Sequence, residues 1–351
     1  MALTGAESRI TIVVTQRERT SAMREALEAI YAGTPNSIEL VYVVGQPSRK
    51  DLRWIAGEAA NRGFRLVEAG RPLTPSESRN LGLAAATTEF VVFIENDVLP
   101  KPGWLDALLA CADETGAHVV VPLTCEGRPL HTIIHHVGPA DELVPGADGV
   151  EPGRRDFHET LYLQGKTLEQ AADHLVRRRT RTCEFHCLMV RRSVFARIGP
   201  FDPVIVSKEH LDFSWRVARA GLAIWVEPKA VVTFLVPSDN DPVKFADLSY
   251  FLLRWSPAWQ RRSHDLLKQR WGFQESGFIS SRRQLADWRI VDHVVKPILR
   301  SVPLLGTRWG FVERGARLLY PIAALAASML AWRYDVSHSR AEDKDNAGAA
   351  A

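Results

Sequence analysis

Cysteine is scarce in this chain, with four in 351 residues. So few thiols cannot form a disulfide framework for a chain of this length, and the count fits a reducing compartment. Long hydrophobic runs are also missing. No stretch of about 18 uncharged apolar residues occurs, so no transmembrane helix declares itself. Met1 to Arg9 contains no apolar stretch of the secretory kind, and the expectation is a cytoplasmic protein. Neither sign of charge dominates: 44 Lys and Arg face 41 Asp and Glu, for a net charge of +3. No nucleic-acid partner is expected. No internal repeat stands out, and the one compositionally simple segment is the small-residue end after Ala341.

What is present is ordinary globular composition. Apolar residues make up 46% and charged residues 24%, enough for a sizeable core and for one large or two medium domains. The near-neutral total hides an asymmetry. From Arg254 to Arg333 there are 14 Lys and Arg but 5 Asp and Glu, in a region also rich in Trp, Leu and Ile. That combination points to an anionic surface such as a membrane face, weighed against a plain solvated helical face. Within it, the 15 residues from Leu318 to Trp332 lie between Arg317 and Arg333. As a helix they rise about 22 Å, short of the roughly 30 Å hydrocarbon core, and read as an interfacial or buried helix.

Strand and helix patterns alternate along the first 120 residues. Ile10 to Thr15, Ile38 to Val44, Phe64 to Glu68, Phe90 to Ile94 and Val119 to Pro122 are short β-branched or apolar runs, as in strands buried on both faces. Helices are predicted from Ser21 to Ala32, Leu52 to Arg62 and Trp104 to Thr115. A further helix should start at Thr74-Pro75-Ser76-Glu77, where an N-cap, a first-turn proline and a capping-box glutamate coincide. Further on, the patterns predict a helix from Leu168 to Arg178 and a strand from Phe185 to Val190. A helix from Leu211 to Ala220 and strands at Ala223 to Val226 and Val231 to Val236 follow, and beyond Asp247 the pattern is helical. Such alternation argues for an α/β fold with a mostly parallel sheet.

Two acidic clusters could carry chemistry. Glu95-Asn96-Asp97 closes a buried strand, where open α/β sheets bind ligands, and its two carboxylates suit Mg²⁺ or Mn²⁺. The plain alternative is a polar turn. Glu209-His210-Leu211-Asp212 opens a helix, and Glu209 and His210 are both credible general bases. Weaker signals read as structural. His131 and His135 have zinc-protease spacing, but Thr132 stands where the catalytic glutamate belongs, and the β-branched run suits a strand. On a strand Cys183 and Cys187 share a face while His186 points away, which favours ordinary burial. Ser263-His264-Asp265 is no triad, because adjacent residues cannot converge.

From Arg9 to about Val236 the chain resembles a family-2 glycosyltransferase with the GT-A fold. The matching pieces, in order, begin with Thr15-Gln16-Arg17 after the first strand and Ser78-Arg79-Asn80-Leu81-Gly82. Phe93-Ile94-Glu95-Asn96-Asp97-Val98 and Pro100-Lys101-Pro102-Gly103-Trp104-Leu105 come next. Arg191 to Asp202 and Glu209 to Arg216 follow, then Gly221 and Pro228. Each piece is weak alone; their order and spacing make the case.

The resemblance implies an inverting transferase that takes a nucleotide-sugar donor and acts on a hydroxyl of a saccharide or lipid-linked acceptor, in polysaccharide or glycoconjugate synthesis. Asp97 would hold Mg²⁺ or Mn²⁺, with Glu95 near the ribose or metal. Thr15, Arg17, Ser78, Arg79, Asn80, Glu95 and Asn96 would lie along the donor. Glu209, His210 and Asp212 compete as catalytic groups, with Glu209 favoured. The chain also departs from the family. Gly45-Gln46 stands where an acidic pair contacts uracil, Arg17 where an aromatic residue stacks, His210 where the usual aspartate lies, and Phe234 where many members have a late metal-ligand histidine. Residues 1–246 are expected to form the catalytic domain, 247–335 a basic helical appendage held against an anionic inner membrane face, and 336–351 a disordered tail. A non-catalytic relative that binds sugars or partners, and less so a nucleotidyltransferase, are the rival readings. The nucleotidyltransferase would need a glycine-rich phosphate loop, and Thr15 to Arg19 has no glycine.

Overall fold

The computed structural model describes residues 9–17, 20–35, 37–138, 161–236, 243–272, 288–303 and 306–349, with side chains as far as Asp335. β-branched runs become the central strands because they are buried on both faces. β1 (Ile10–Thr15), β2 (Glu39–Val44), β3 (Arg65–Glu68) and β4 (Phe90–Glu95) are parallel neighbours in the order β3-β2-β1-β4. β5 (Val98–Pro100), β6 (Val119–Glu126), β7 (Ile133–His136), β8 (Arg178–Thr180), β9 (Cys187–Arg191) and β10 (Ile224–Phe234) extend it. β9 lies antiparallel between β4 and β6, and the order continues β6-β10-β5, with β7 on β6 and β8 on β10. The sheet is therefore mixed. The two short strands expected around Glu227 are one strand, β10, whose pairing with β6 shifts register between Glu227 and Val231.

Helices α1 (Met23–Ala32), α2 (Arg49–Arg62), α3 (Pro75–Ala85) and α4 (Trp104–Thr115) connect these strands. The Thr74 capping box forms as expected. Gly82 matters to packing: a Cβ there would lie 2.1 Å from Val13 Cγ1, so only glycine lets α3 press on β1. α5 (Ser193–Ile198) and α6 (Glu209–Arg219) follow β9. The helix expected from Leu168 to Arg178 does not form. A short 3₁₀ turn, Ala172–His174, stands in its place, and Arg178 pairs with Val226 as β8. Sheet-edge pairing outweighs a helical period that has only local support.

The C-terminal helices are α7 (Phe245–Arg254), α8 (Pro257–Trp271), a broken helix (Trp288–Ile290, π-helical Val291–Val295, Lys296–Arg300) and the terminal helix Trp309–Ala349. α7, the broken helix and the terminal helix share an apolar core of Phe251, Trp255, Ile290, Leu299, Val312 and Ala327, and α8 joins through Trp259, which packs with Leu253 and Ala331. They are also bolted to the sheet domain. Trp215 meets Trp271 edge-on at 5.2 Å, Tyr250 donates to the Leu73 carbonyl, and Tyr334 donates to Glu77 at 2.7 Å. The tail boundary expected at 336 falls inside the terminal helix. The stretch from Trp309 to Asp335 is long and apolar enough to cross a membrane by length and composition, with 17% of its most apolar window buried. Its continuation beyond Arg317 and Arg333 is what lengthens the 15-residue run seen in sequence.

Candidate active site

The carboxyl ends of the strands open onto a cavity of about 390 Å³. Arg17 and Glu95 face it from β1 and β4, Glu126 and His135 from β6 and β7, Glu184 and His186 from the approach to β9, and Phe234 from β10. Lys208, Glu209 and His210 form the side where α6 begins. Arg254, Trp255, Arg289 and His293 come from the C-terminal helices, so these close the cavity rather than hang from the domain. Arg254 and Arg289 both stack on Trp255, at 5.2 and 5.0 Å. Lys208 caps α6 with φ +58°, a left-handed conformation that is rare for a residue with a side chain and is often stored at functional sites.

Glu95 is the electrostatic centre of the floor. Its Oε2 accepts from Arg17 Nη1 at 2.5 Å and from His186 Nδ1 at 2.7 Å, and its Oε1 accepts from Arg79 Nη2 at 2.9 Å. Arg17 Nη1 also lies 3.1 Å from His186 Nδ1, which is the side-by-side approach of two donors to one oxygen. Burial works against the carboxylate, but Arg17, His186 and Arg79 outweigh it and hold Glu95 well below the usual carboxyl range. Burial also opposes charge on His186, yet Glu184 and Glu95 raise its pKa on balance.

Of the eleven expected site residues, Arg17, Glu95, Glu209 and His210 line this cavity. Arg79 is buried beneath the floor and reaches both Glu95 and, at 3.6 Å, Glu209. Glu209 also lies 3.9 Å from Arg254. Glu209 and His210 both face the cavity. Asp212 does not. One α-helical turn on from the cavity it is buried, accepting from Arg216, Arg270 and Trp271 at 2.9, 2.7 and 3.0 Å. It fastens α6 to α8. Asn80 is likewise structural: its amide clamps the Phe201 backbone with bonds of 2.9 and 3.0 Å. The Thr15 carbonyl accepts the Asn96 amide at 3.0 Å, and Asn96 Oδ1 accepts the Arg17 amide at 2.9 Å, so both shape the turn. Ser78 lines a separate cavity with Gln16, Gly45, Gln46 and Tyr250, whose 20 Å³ holds about one water.

Of the expected metal pair, Glu95 faces this cavity and Asp97 does not. Glu95 has both oxygens engaged by cationic groups, and Asp97, although buried, is not among the residues that line the cavity. The side chains that do converge are His135, Glu184 and His186, whose ligand atoms lie within 4.8 Å of one another. In sequence His135 and His186 read as structural, and Glu184 carries no signal of its own. The protease-like pair does not form either, since His131 is bonded to Thr233 at 2.7 Å. Cys125 and Cys183 are buried, with thiols pushed up to about 12 by that burial, which makes them poor ligands.

Comparison with known proteins identifies the family. Residues 11–199 match the model of Glycosyl transferase family 2. The pre-mycofactocin glycosyltransferase of Mycobacterium tuberculosis (strain CDC 1551 / Oshkosh) is 29% identical over 158 residues, which is 45% of this chain and 29% of that protein. The chain thus spans less than a third of that relative's length. Among solved structures, GalNAc-T7 with UDP, GalNAc and Mn²⁺ superposes with a TM-score of 0.51 at 13% identity, over 85% of this chain and 58% of that one. S. aureus TarS 1-349 in complex with UDP-GlcNAc gives 0.47 at 14% identity, over 95% and 92%. The stretch that matches the family model is more than half of the chain and contains β1, α3, the strand-end acidic motif and β9. On that ground the protein belongs to glycosyl transferase family 2 and has the GT-A fold.

Proposed function

We propose that this protein is an inverting glycosyltransferase that moves a sugar from a nucleoside-diphosphate donor to a hydroxyl of a saccharide or lipid-linked acceptor. The observation that carries the reading is the position of Glu209, at the start of α6, on a cavity at the strand ends that is also faced by Arg17, Lys208, Arg254 and Arg289. These four basic side chains share the cavity with Glu95, Glu126, Glu184 and Glu209; the cations offer a diphosphate its partners, and the first turn of α6 adds its dipole. Glu209 then takes the acceptor hydroxyl proton. The oxygen forms its bond to the anomeric carbon as the bond to the diphosphate breaks, and the nucleoside diphosphate leaves with the electron pair. One displacement inverts the centre. His210 is the second candidate for the base, since it faces the same cavity. A divalent ion, Mg²⁺ or Mn²⁺, supplies Lewis-acid neutralisation of the leaving group when bound.

The test is a donor-hydrolysis and transfer screen with UDP-, GDP- and dTDP-sugars and Mg²⁺ or Mn²⁺. Release of nucleoside diphosphate from at least one donor supports the reading. Donor binding without release, from every donor and with acceptors supplied, favours the non-catalytic alternative.

The acceptor side is a membrane reading. Leu318, Ile322, Leu325, Met329 and Trp332 recur at helical spacing and are between 52% and 76% exposed, on a helix flanked by Arg308, Arg314, Arg317 and Arg333. An apolar stripe with basic flanks suits the anionic inner membrane face, where a lipid-linked acceptor would be found. Flotation with anionic liposomes at low and high salt should show binding that weakens with salt. Absence of binding to anionic and neutral liposomes alike removes the membrane from the account.

A further inference from the structure

We propose that His135, Glu184 and His186 form the cation site of this cavity, and that it takes a transition-metal divalent ion such as Mn²⁺ or Zn²⁺ in preference to Mg²⁺. The role of such an ion in transfer rests on the glycosyltransferase reading; its binding does not.

A strand and a bend bring the three residues together. Along β7 the buried residues are Ile134 and His136, while Ile133 and His135 face the other way. Glu184 and His186 are two apart in the segment that leads into β9, which bends at Phe185 and His186, and both face the cavity. Cys183 and Phe185 pack into one core cluster and Cys187 into another, and the Glu184 carboxylate accepts the His186 amide at 2.6 Å, so this bend sets the two side chains together.

The surroundings are those of a built ligand set. Each imidazole has its Nδ1 bonded to a carboxylate: His135 to Glu126 and His186 to Glu95, both at 2.7 Å. That arrangement fixes the tautomer and directs Nε2 toward a metal, as in carboxylate–histidine–metal groups. His186 Nε2 lies 3.7 Å from Glu184 Oε1. This is too long for a hydrogen bond and close to the spacing of two ligands that each sit about 2.1 Å from one ion. Phe234 fixes both rings, stacking on His186 at 4.0 Å and meeting His135 edge-on at 5.3 Å. Two nitrogens and one carboxylate suit Mn²⁺ or Zn²⁺, whereas Mg²⁺ prefers oxygen ligands alone. Phe234 occupies the position of the family's late histidine, so in this chain two histidines from other strands stand against the ring that replaced it.

The test uses the purified full chain without donor. Binding of Mn²⁺, Zn²⁺ and Mg²⁺ is measured by equilibrium dialysis, with the Mn²⁺ EPR signal as a second readout and circular dichroism to confirm folding. One Mn²⁺ or Zn²⁺ per chain, bound more tightly than Mg²⁺, is expected. His135→Ala and His186→Ala should each weaken it at least tenfold. Glu126→Gln should weaken it about 10- to 100-fold although Glu126 is not a ligand. Asp97→Asn should leave it unchanged. Should His135→Ala or His186→Ala prevent folding, His135→Gln and Glu126→Gln carry the same comparison. Wild-type affinity in both histidine variants, loss of binding in Asp97→Asn instead, or no binding by the wild type overturns the assignment. Sugar transfer by a protein that binds no ion here refutes the site but leaves the enzyme; tight binding without any donor turnover leaves the site and refutes the enzyme.

Discussion

The floor and the roof of the cavity differ in origin. The floor is made of strand ends, with Arg17, Glu95, Glu126 and His186 fixed by a ladder of backbone hydrogen bonds. The roof is made of Arg254, Trp255, Arg289 and His293 on helices that lie beyond the stretch matching the family model. Residues held by a buried sheet can tolerate a concentrated charge cluster, because each member is over-determined. Residues on packed helices are positioned by side-chain contacts such as the stacking of two arginines on Trp255. The floor therefore suits chemistry common to a family, and the roof suits selection of a particular donor or acceptor. Glu209 stands between the two, within ion-pair reach of Arg79 below and Arg254 above.

Substitutions can break or sharpen this contrast. The largest effect is expected at the junction. Glu209→Gln removes a proton acceptor and keeps its shape, so turnover should fall about 10²- to 10⁴-fold with donor affinity little changed. If steady-state kinetics show no loss while His210→Ala is inactive, the base is His210.

Asp212→Ala should separate packing from chemistry on the same helix. It strips partners from Arg216, Arg270 and Trp271, and should cost about 3 kcal/mol in denaturant unfolding. In the milder Asp212→Asn, kcat should stay near the wild-type value. A specific loss of kcat in a folded Asp212→Asn protein would return Asp212 to the catalytic set.

At the roof, Arg254→Ala and Arg289→Ala should raise the KM for donor or acceptor about tenfold or more, by loss of a charge-assisted contact. A fall in kcat with KM unchanged would move them into the reacting centre.

The smallest effect concerns the seam between the regions. Asp247 on α7 accepts from Thr20 at 3.0 Å, and burial raises its pKa. A raised carboxyl pKa means that the ionised form costs stability, fully so above the folded pKa and less as pH falls through it. Asp247→Asn should therefore equal or slightly exceed wild-type stability at pH 7, and lose that advantage as the pH approaches the ordinary aspartate range. Thermal melts across pH check this; an advantage that grows toward low pH contradicts it.

The strands and turns of the floor were legible in sequence because their signals are local, whereas Glu126 was not singled out and His186 read as structural. Phe90 to Ile94 is an apolar run that ends in polar residues, and Thr74 to Glu77 carries its own cap. Glu209 was legible as the acidic start of a helix. The separation of Glu209 from Asp212 was not, since three residues along a helix leave both near one face, and only the packing of α8 decides which is covered. The His135, Glu184 and His186 cluster draws on segments about 50 residues apart in the chain, and spacing within either segment says nothing of the other. Nor does period-two alternation place Glu184 beside His186, because the chain bends at Phe185 and His186. The roof residues carry no spacing signal at all, because helix-to-helix packing places them.

The most direct measurement of the central claim is the stereochemistry of transfer by the intact protein, followed by NMR of the anomeric proton with the donor and acceptor found in the screen. The account predicts a product of inverted anomeric configuration, formed with release of nucleoside diphosphate and strongly reduced in Glu209→Gln. A product with retained configuration, or undiminished transfer by both Glu209→Gln and His210→Ala, would contradict it.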